Sequence, residues 1–219
     1  MFNLPKSTEV KKVIPKIAFD AYTNSRQKKV FTDEILRMVW MNKLSTHTTN
    51  LPFKEVQEIQ IFDIELKHQV QIKDALTIID KAIPYPIIFI VRFENRVYLS
   101  TSPKHQNPNN EDNAVIDYTF LTEWFDKGDF NYVIELRTSL DGVYKSFCEQ
   151  FTKNNSSSKG INDLVSNQKQ LDSLNQKIKR MKLSINSCKQ FNKKVDLNIE
   201  LNALEIELER FNVSFKRLE

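Results

Sequence analysis

The sequence predicts an α/β or α+β domain with a mixed sheet, followed by a C-terminal helical hairpin or coiled coil. Helical and strand-like periodicities alternate between residues 24 and 151. In the last sixty residues, apolar side chains recur at steps of three and four, as a helical seam requires, and no proline interrupts them. We therefore expect an α/β domain over residues 1–153, a linker over 154–160 and helices over 161–219.

The elements of the first domain follow from the spacing of apolar residues. Residues 24–44 carry them at helical intervals after Asn24 and Ser25, both good N-caps. Residues 56–67 alternate as in a strand, with an irregularity around Phe62. The almost wholly apolar run 87–93 predicts a central strand. The remaining predictions are a helix over 72–83, a hairpin strand over 97–101, a polar loop over 104–113, strands over 114–121 and 132–136, and a helix over 141–151.

The C-terminal segment is predicted to fold back on itself near residues 190–196, with Asp196 as N-cap of its second helix. Opposite charge favours pairing of its halves, because residues 159–195 hold nine basic and two acidic side chains, whereas 196–219 hold three and six. A bent helix that forms a homodimer and a hairpin that packs only within its own chain are alternatives. The predicted partner-binding seam consists of Leu171, Leu174, Ile178, Met181, Leu201, Leu204 and Leu208.

Composition excludes several classes of protein. With 219 residues, 40% of them apolar and 11% aromatic, the chain has enough material for one sizeable core. The net charge of +4 is too small for a dedicated nucleic-acid domain. Three glycines leave no phosphate-binding loop, and three scattered histidines give little support to zinc, so we expect no cofactor. Two distant cysteines, without a signal peptide or an apolar run of membrane length, predict a cytoplasmic protein without membrane contact.

One local pattern resembles catalytic chemistry. Asp63, Glu65 and Lys67 lie at the end of a predicted strand, and many metal-dependent nucleases use Glu-x-Lys there. In such sites a carboxylate binds Mg²⁺ and a lysine orients or activates the attacking water. A second acid normally lies on the preceding strand, yet no acid occurs between Glu34 and Glu55. Alternating charges on the wet face of a strand explain the pattern equally well.

The N-terminal segment offers a second possibility, contact with DNA. Its basic residues interleave with Phe19 and Tyr22, a mixture that could bind phosphates and stack a base. More often such a run is the solvated face of helices that pack inward. The candidate nucleic-acid contacts are Lys11, Lys12, Lys16, Arg26, Lys28 and Lys29.

Several short phrases carry a family resemblance that spans almost the full chain. They are residues 4–8, 40–45, 49–51, 83–86, 189–192 and 195–201. Together they resemble a prokaryotic family known as domain of unknown function 4391. The resemblance implies an accessory protein encoded beside helicase and DNA-methyltransferase genes, in loci similar to restriction-modification or phage-defence systems. It implies no catalytic residues.

We therefore expect a non-enzymatic interaction subunit that binds a larger helicase or DNA methyltransferase through its helical segment. A metal-dependent nuclease centred on Glu65 and Lys67 is one alternative. A small DNA-binding adaptor that uses the basic N-terminus is the other.

Overall fold

The structure, a computed structural model, describes residues 2–107, 110–152 and 158–216. The chain forms two compact units, Met1–Phe151 and Thr152–Glu219. The strands and α-helices of the first unit are β1 (Glu9–Val13), α1 (Ser25–Asp33), β2 (Ile35–Ser45), α2 (Thr46–Thr49), β3 (Glu58–Leu66), α3 (Lys73–Ala82), β4 (Ile87–Phe93), β5 (Arg96–Thr101), β6 (Lys104–Asn107), β7 (Asn110–Ile116), β8 (Phe120–Leu121), β9 (Phe125–Asp126) and α4 (Leu140–Glu149). The second unit contains α5 (Ile161–Ser187) and α6 (Phe191–Lys216).

A seven-stranded mixed sheet organises the first unit. Its order is β1-β2-β3-β4-β5-β8, and β9 also pairs with β5. Only β3 and β4 are parallel among the described pairs of this sheet, and α3 connects them, as a parallel crossover requires. The strands β6 and β7 form a separate antiparallel pair. The mixed sheet with its helices confirms the predicted α+β class.

Both faces of the central strands are buried. On one face, Phe62, Phe89 and Tyr98 belong to a core that includes residues of α1 and α3. On the other face, Thr101 of β5 lies 3.0 Å from the hydroxyl of Tyr144 in α4. Residues 87–91 of β4 are apolar and buried without alternation, because helices cover the strand on both sides. The prediction of a central strand over 87–93 is confirmed.

The single helix predicted over 24–44 is wrong. Asn24 does cap a helix, through a capping box with Gln27, but α1 ends at Asp33 and a strand follows. The pairing of β2 with β3 shifts register between Ile35 and Arg37, and again after Trp40. Such bulges disturb the two-residue alternation, so that Ile35 and Met38 are both buried three positions apart. Their spacing therefore resembles that of a helix.

Other boundaries differ from the sequence predictions as well. The basic N-terminus begins with the edge strand β1, which the sequence did not predict, and only its later part is the exposed side of the helix α1. The polar loop expected over 104–113 contains β6 and most of β7. Residues 132–136 form no strand, and the strand expected over 114–121 is divided between β7 and β8. Most of the predicted linker, residues 154–157, lies outside the described residues.

The helices α5 and α6 form an antiparallel hairpin. Only residues 188–190 separate them, so the turn comes earlier than predicted, and Asp196 lies inside α6 instead of capping it. An ion pair of 2.8 Å joins Lys182 to Glu205 across the two helices. Because the helices run in opposite directions, this pair sets Ile178 near the level of Leu208.

Candidate functional site

The residues proposed for catalysis lie at the carboxyl end of β3, where Arg92 of β4 binds both acids. Its Nε donates to Asp63 Oδ1 at 2.7 Å and its Nη2 to Glu65 Oε2 at 3.0 Å. Burial by itself would lower the pKa of Arg92, but the hydrogen bonds and charges of the two carboxylates raise it above its usual value. The guanidinium therefore stays charged and is shared by the two carboxylates, which together carry one more charge than it offsets.

Lys67 is engaged with the end of α1. Its Nζ donates to the carbonyl oxygen of Thr32 at 2.8 Å, and its backbone N–H donates to the carbonyl of Glu34 at 2.8 Å. The last carbonyls of a helix have no partner within the helix, so a lysine there satisfies one of them and complements the helix dipole. In this conformation Lys67 stabilises the junction between α1 and β2.

Glu34 is the residue of this region that the sequence argument missed. It directly precedes β2, and the pairing of Ile35 with Leu66 brings it to the end of the sheet that carries Glu65 and Lys67. Its Oε2 is shielded from solvent and has no hydrogen-bond partner. The acid expected on the preceding strand therefore exists one residue before that strand. Within the described parts of the chain, however, no three acidic, histidine or cysteine side chains are grouped closely enough to bind a metal ion.

The basic N-terminal residues are spread over three elements. Lys11 and Lys12 lie on β1, Lys16 begins the 3-10 helix Lys16–Tyr22, and the other three belong to α1. Two of the six are paired with acids, Lys11 with Glu9 at 2.6 Å and Lys28 with Asp20 at 3.1 Å.

Phe19, proposed to stack a base, is instead buried against Phe31, with ring centroids 5.9 Å apart. Of the two aromatic residues only Tyr22 remains exposed.

A buried ion pair joins α3 to the start of β6, in a stretch that the sequence predicted to be a polar loop. The side chains of Lys104 and Asp80 are 0% and 2% exposed. The Nζ of Lys104 donates to Asp80 Oδ1 at 3.0 Å and to the carbonyls of Asp80 and Ile83 at 2.7 and 2.8 Å. Ser102 donates to the second carboxylate oxygen at 2.7 Å. Burial raises the pKa of Asp80 and lowers the pKa of Lys104, although each partner's charge opposes the change.

All three protons of the Lys104 ammonium therefore have acceptors, which indicates a structural cap for α3.

The predicted partner-binding seam faces the interior of the hairpin to different degrees. Leu174 and Ile178 are buried, at 3% and 8% exposure. The other five are half-buried: Leu171, Met181, Leu201, Leu204 and Leu208. Within a single chain these side chains lie along the neighbouring sides of α5 and α6. That a partner binds them stays a prediction.

A second apolar stripe on α6 was not recognised in the sequence. We call it the outer stripe, and its side chains are between 41% and 64% exposed. Their spacings of four, seven and seven residues keep them on one side of the helix. Because an α-helix turns by about 100° per residue, this side lies opposite the side that carries Leu201 and Leu208. The spacing in the sequence could have revealed it. The outer stripe consists of Val195, Ile199, Ile206 and Val213.

The sequence is similar to a known protein family. A sequence model described as "Domain of unknown function (DUF4391)" matches residues 2–208. Neither the curated proteins nor the solved structures contain a significant match. Among the described residues, no helix has the length and apolar character needed to span a membrane.

Proposed function

From the premise that this chain belongs to the family "Domain of unknown function (DUF4391)", we propose that it is a non-enzymatic accessory subunit that binds a larger DNA-processing protein. The observation that supports this most is the apolar character of α6 on two opposite sides. One side is used by α5 and the other, the outer stripe, is exposed to solvent. Pairing with α5 accounts for one apolar side of α6, so the second indicates a further binding surface.

The ion pairs of the first unit agree with this role. Asp63 and Glu65 bind Arg92, and Lys67 binds a backbone carbonyl, so each has a structural function in the fold. The family resemblance favours a helicase or a DNA methyltransferase as the partner. We place the complex in the cytoplasm, where the free thiols of Cys148 and Cys188 would stay reduced.

Affinity purification from the native host tests the proposal. The full chain carries a tag, and mass spectrometry identifies the proteins that copurify at moderate salt. We expect a helicase or a DNA methyltransferase in stoichiometric amount. Recovery of the tagged chain alone, at both low and moderate salt, would contradict the accessory role. An unrelated protein that carries the same tag and is present at a similar abundance serves as the control.

A metal-dependent nuclease is the second candidate, favoured by the position of Glu34. This residue supplies an acid beside the Glu-x-Lys pattern, where the sequence had offered none. Cleavage would require the guanidinium of Arg92 to leave Glu65, so that the carboxylate could bind Mg²⁺.

The test incubates supercoiled and linear DNA with the protein and Mg²⁺. A nuclease should lose its activity in both Glu65→Ala and Lys67→Ala, with Lys54→Ala, an exposed lysine elsewhere in the unit, as the matched control. Cleavage that survives in Glu65→Ala would show a contaminant or another site. The accessory role predicts no cleavage by the wild-type chain.

A further inference from the structure

We propose that the outer stripe of α6 binds an amphipathic helix of the partner protein whose apolar face is bordered by lysine or arginine. This inference rests on the proposed function and adds to it the surface and the chemistry of the partner. The stripe runs from Val195 to Val213, which is about 27 Å at 1.5 Å per residue. A partner helix of about 18 residues would cover it along its whole length.

The charges beside the stripe determine which sign of charge the partner helix must carry. Residues 196–213 hold five acids and one basic residue, Arg210. By helical geometry Asp196, Glu207 and Arg210 follow one margin of the stripe and Glu209 follows the other, so the two margins together hold three acids and one basic residue. Glu205 is already paired with Lys182 at 2.8 Å within the hairpin, so it does not define the partner. An apolar seam with acidic margins is complementary to an apolar helix with basic margins.

The same charges disfavour a second copy of this chain at the stripe. Two α6 helices that met through their outer stripes would bring acidic margins together, which costs free energy. The outward side of α5 is basic, with Lys169 and Lys179 exposed, but Leu183 is its one large exposed apolar side chain among the described residues. It therefore offers no continuous apolar stripe to pair with that of α6.

Two synthetic helical peptides of 18 residues test the proposal against the full-length protein. Both carry the same leucine and isoleucine stripe, one with lysine margins and one with glutamate margins, and fluorescence anisotropy measures their binding. We expect the lysine peptide to bind at least about tenfold more tightly. The double substitution Ile199→Ser with Ile206→Ser should weaken its binding by at least about tenfold, because two apolar contacts are lost. Leu183→Ser, an equally exposed residue of α5, should leave it unchanged.

A charge reversal keeps the test decisive if the serine variant loses helix content by circular dichroism. The double substitution Asp196→Lys with Glu207→Lys changes only exposed side chains and should shift the preference toward the glutamate peptide. Equal binding of the two peptides, or binding that Ile199→Ser with Ile206→Ser does not weaken, would overturn the proposal. So would a dimer by light scattering that the same serine variant converts to monomer, because a second copy would then occupy the stripe.

These outcomes are distinct from failure of the accessory role itself. If purification from the host returns a partner but the peptides bind equally, the accessory role stands and the assignment of the outer stripe falls. If purification returns no partner, the accessory role falls whatever the peptides do.

Discussion

Replacement of Lys104 by methionine is expected to destabilise the first unit by about 3–5 kcal/mol, the cost of breaking a buried ion pair by removal of one partner. Methionine keeps most of the volume of the side chain, so the loss comes from charge and hydrogen bonds. The substitution leaves the Asp80 carboxylate buried without its cation, and it removes the donor from the carbonyls of Asp80 and Ile83. Ser102 still donates to the carboxylate, which keeps the expected cost within that range.

Tryptophan fluorescence during urea unfolding measures this effect in the first unit alone. The chain has two tryptophans, Trp40 and Trp124, and both belong to that unit, so the second unit does not contribute to the signal. With a urea dependence of about 2 kcal/mol per molar, a loss of about 4 kcal/mol lowers the midpoint by about 2 M. Lys81→Met, which replaces an exposed lysine of α3, should change the stability by less than about 0.5 kcal/mol.

The result that would refute this reasoning is a small difference between the two variants. If the free energies of unfolding of Lys104→Met and Lys81→Met differ by less than about 1 kcal/mol, the ion pair does not stabilise the contact between α3 and β6. A changed slope in urea would show instead that the unfolded state or the cooperativity had changed, and the comparison would then rest on hydrogen exchange of the α3 amides.

Three further predictions concern other parts of the molecule. Asp141 accepts hydrogen bonds from three backbone N–H groups, which outweigh the effect of burial and lower its pKa below the usual 3.8. Above that pH the wild type should therefore be more stable than Asp141→Asn, and it should lose this advantage as the pH falls through the lowered pKa. Urea unfolding at several pH values measures the difference. Leu174→Asp should reduce the helix content measured by circular dichroism, whereas Leu183→Asp should not, because Leu174 is buried and Leu183 is exposed. If Leu174→Asp keeps its helix content but has a lower mass by light scattering, the seam is shared between chains. Fluorescence anisotropy of labelled duplex DNA should show weak binding with a shallow salt dependence, since two of the six N-terminal basic residues have acidic partners. A steep salt dependence, reduced by the double substitution Lys12→Ala with Lys29→Ala, would instead support the DNA-binding adaptor.

The candidate sites show where reasoning from sequence ends. Glu65 and Lys67 could be recognised from their spacing, because i and i+2 on a strand share a face. Their partners could not, since Arg92 and Thr32 approach from a parallel strand and a helix end far away in the chain. The buried Lys104 gave no signal either, because a lysine in a polar stretch is normally exposed. Its burial depends on where the end of α3 lies relative to β6.

The amino-acid sequence by itself determined the elements whose pattern is local. The apolar run 87–93, the helix that begins near Lys73 and the two C-terminal helices could be predicted because periodicity, caps and prolines act within a few residues. Only the tertiary structure decided that Ile35–Ser45 is a strand, since its bulges imitate helical spacing and pairing with β3 outweighs that preference. It also decided the ion pairs and the surface left exposed on α6, because these depend on which distant segments the fold brings together.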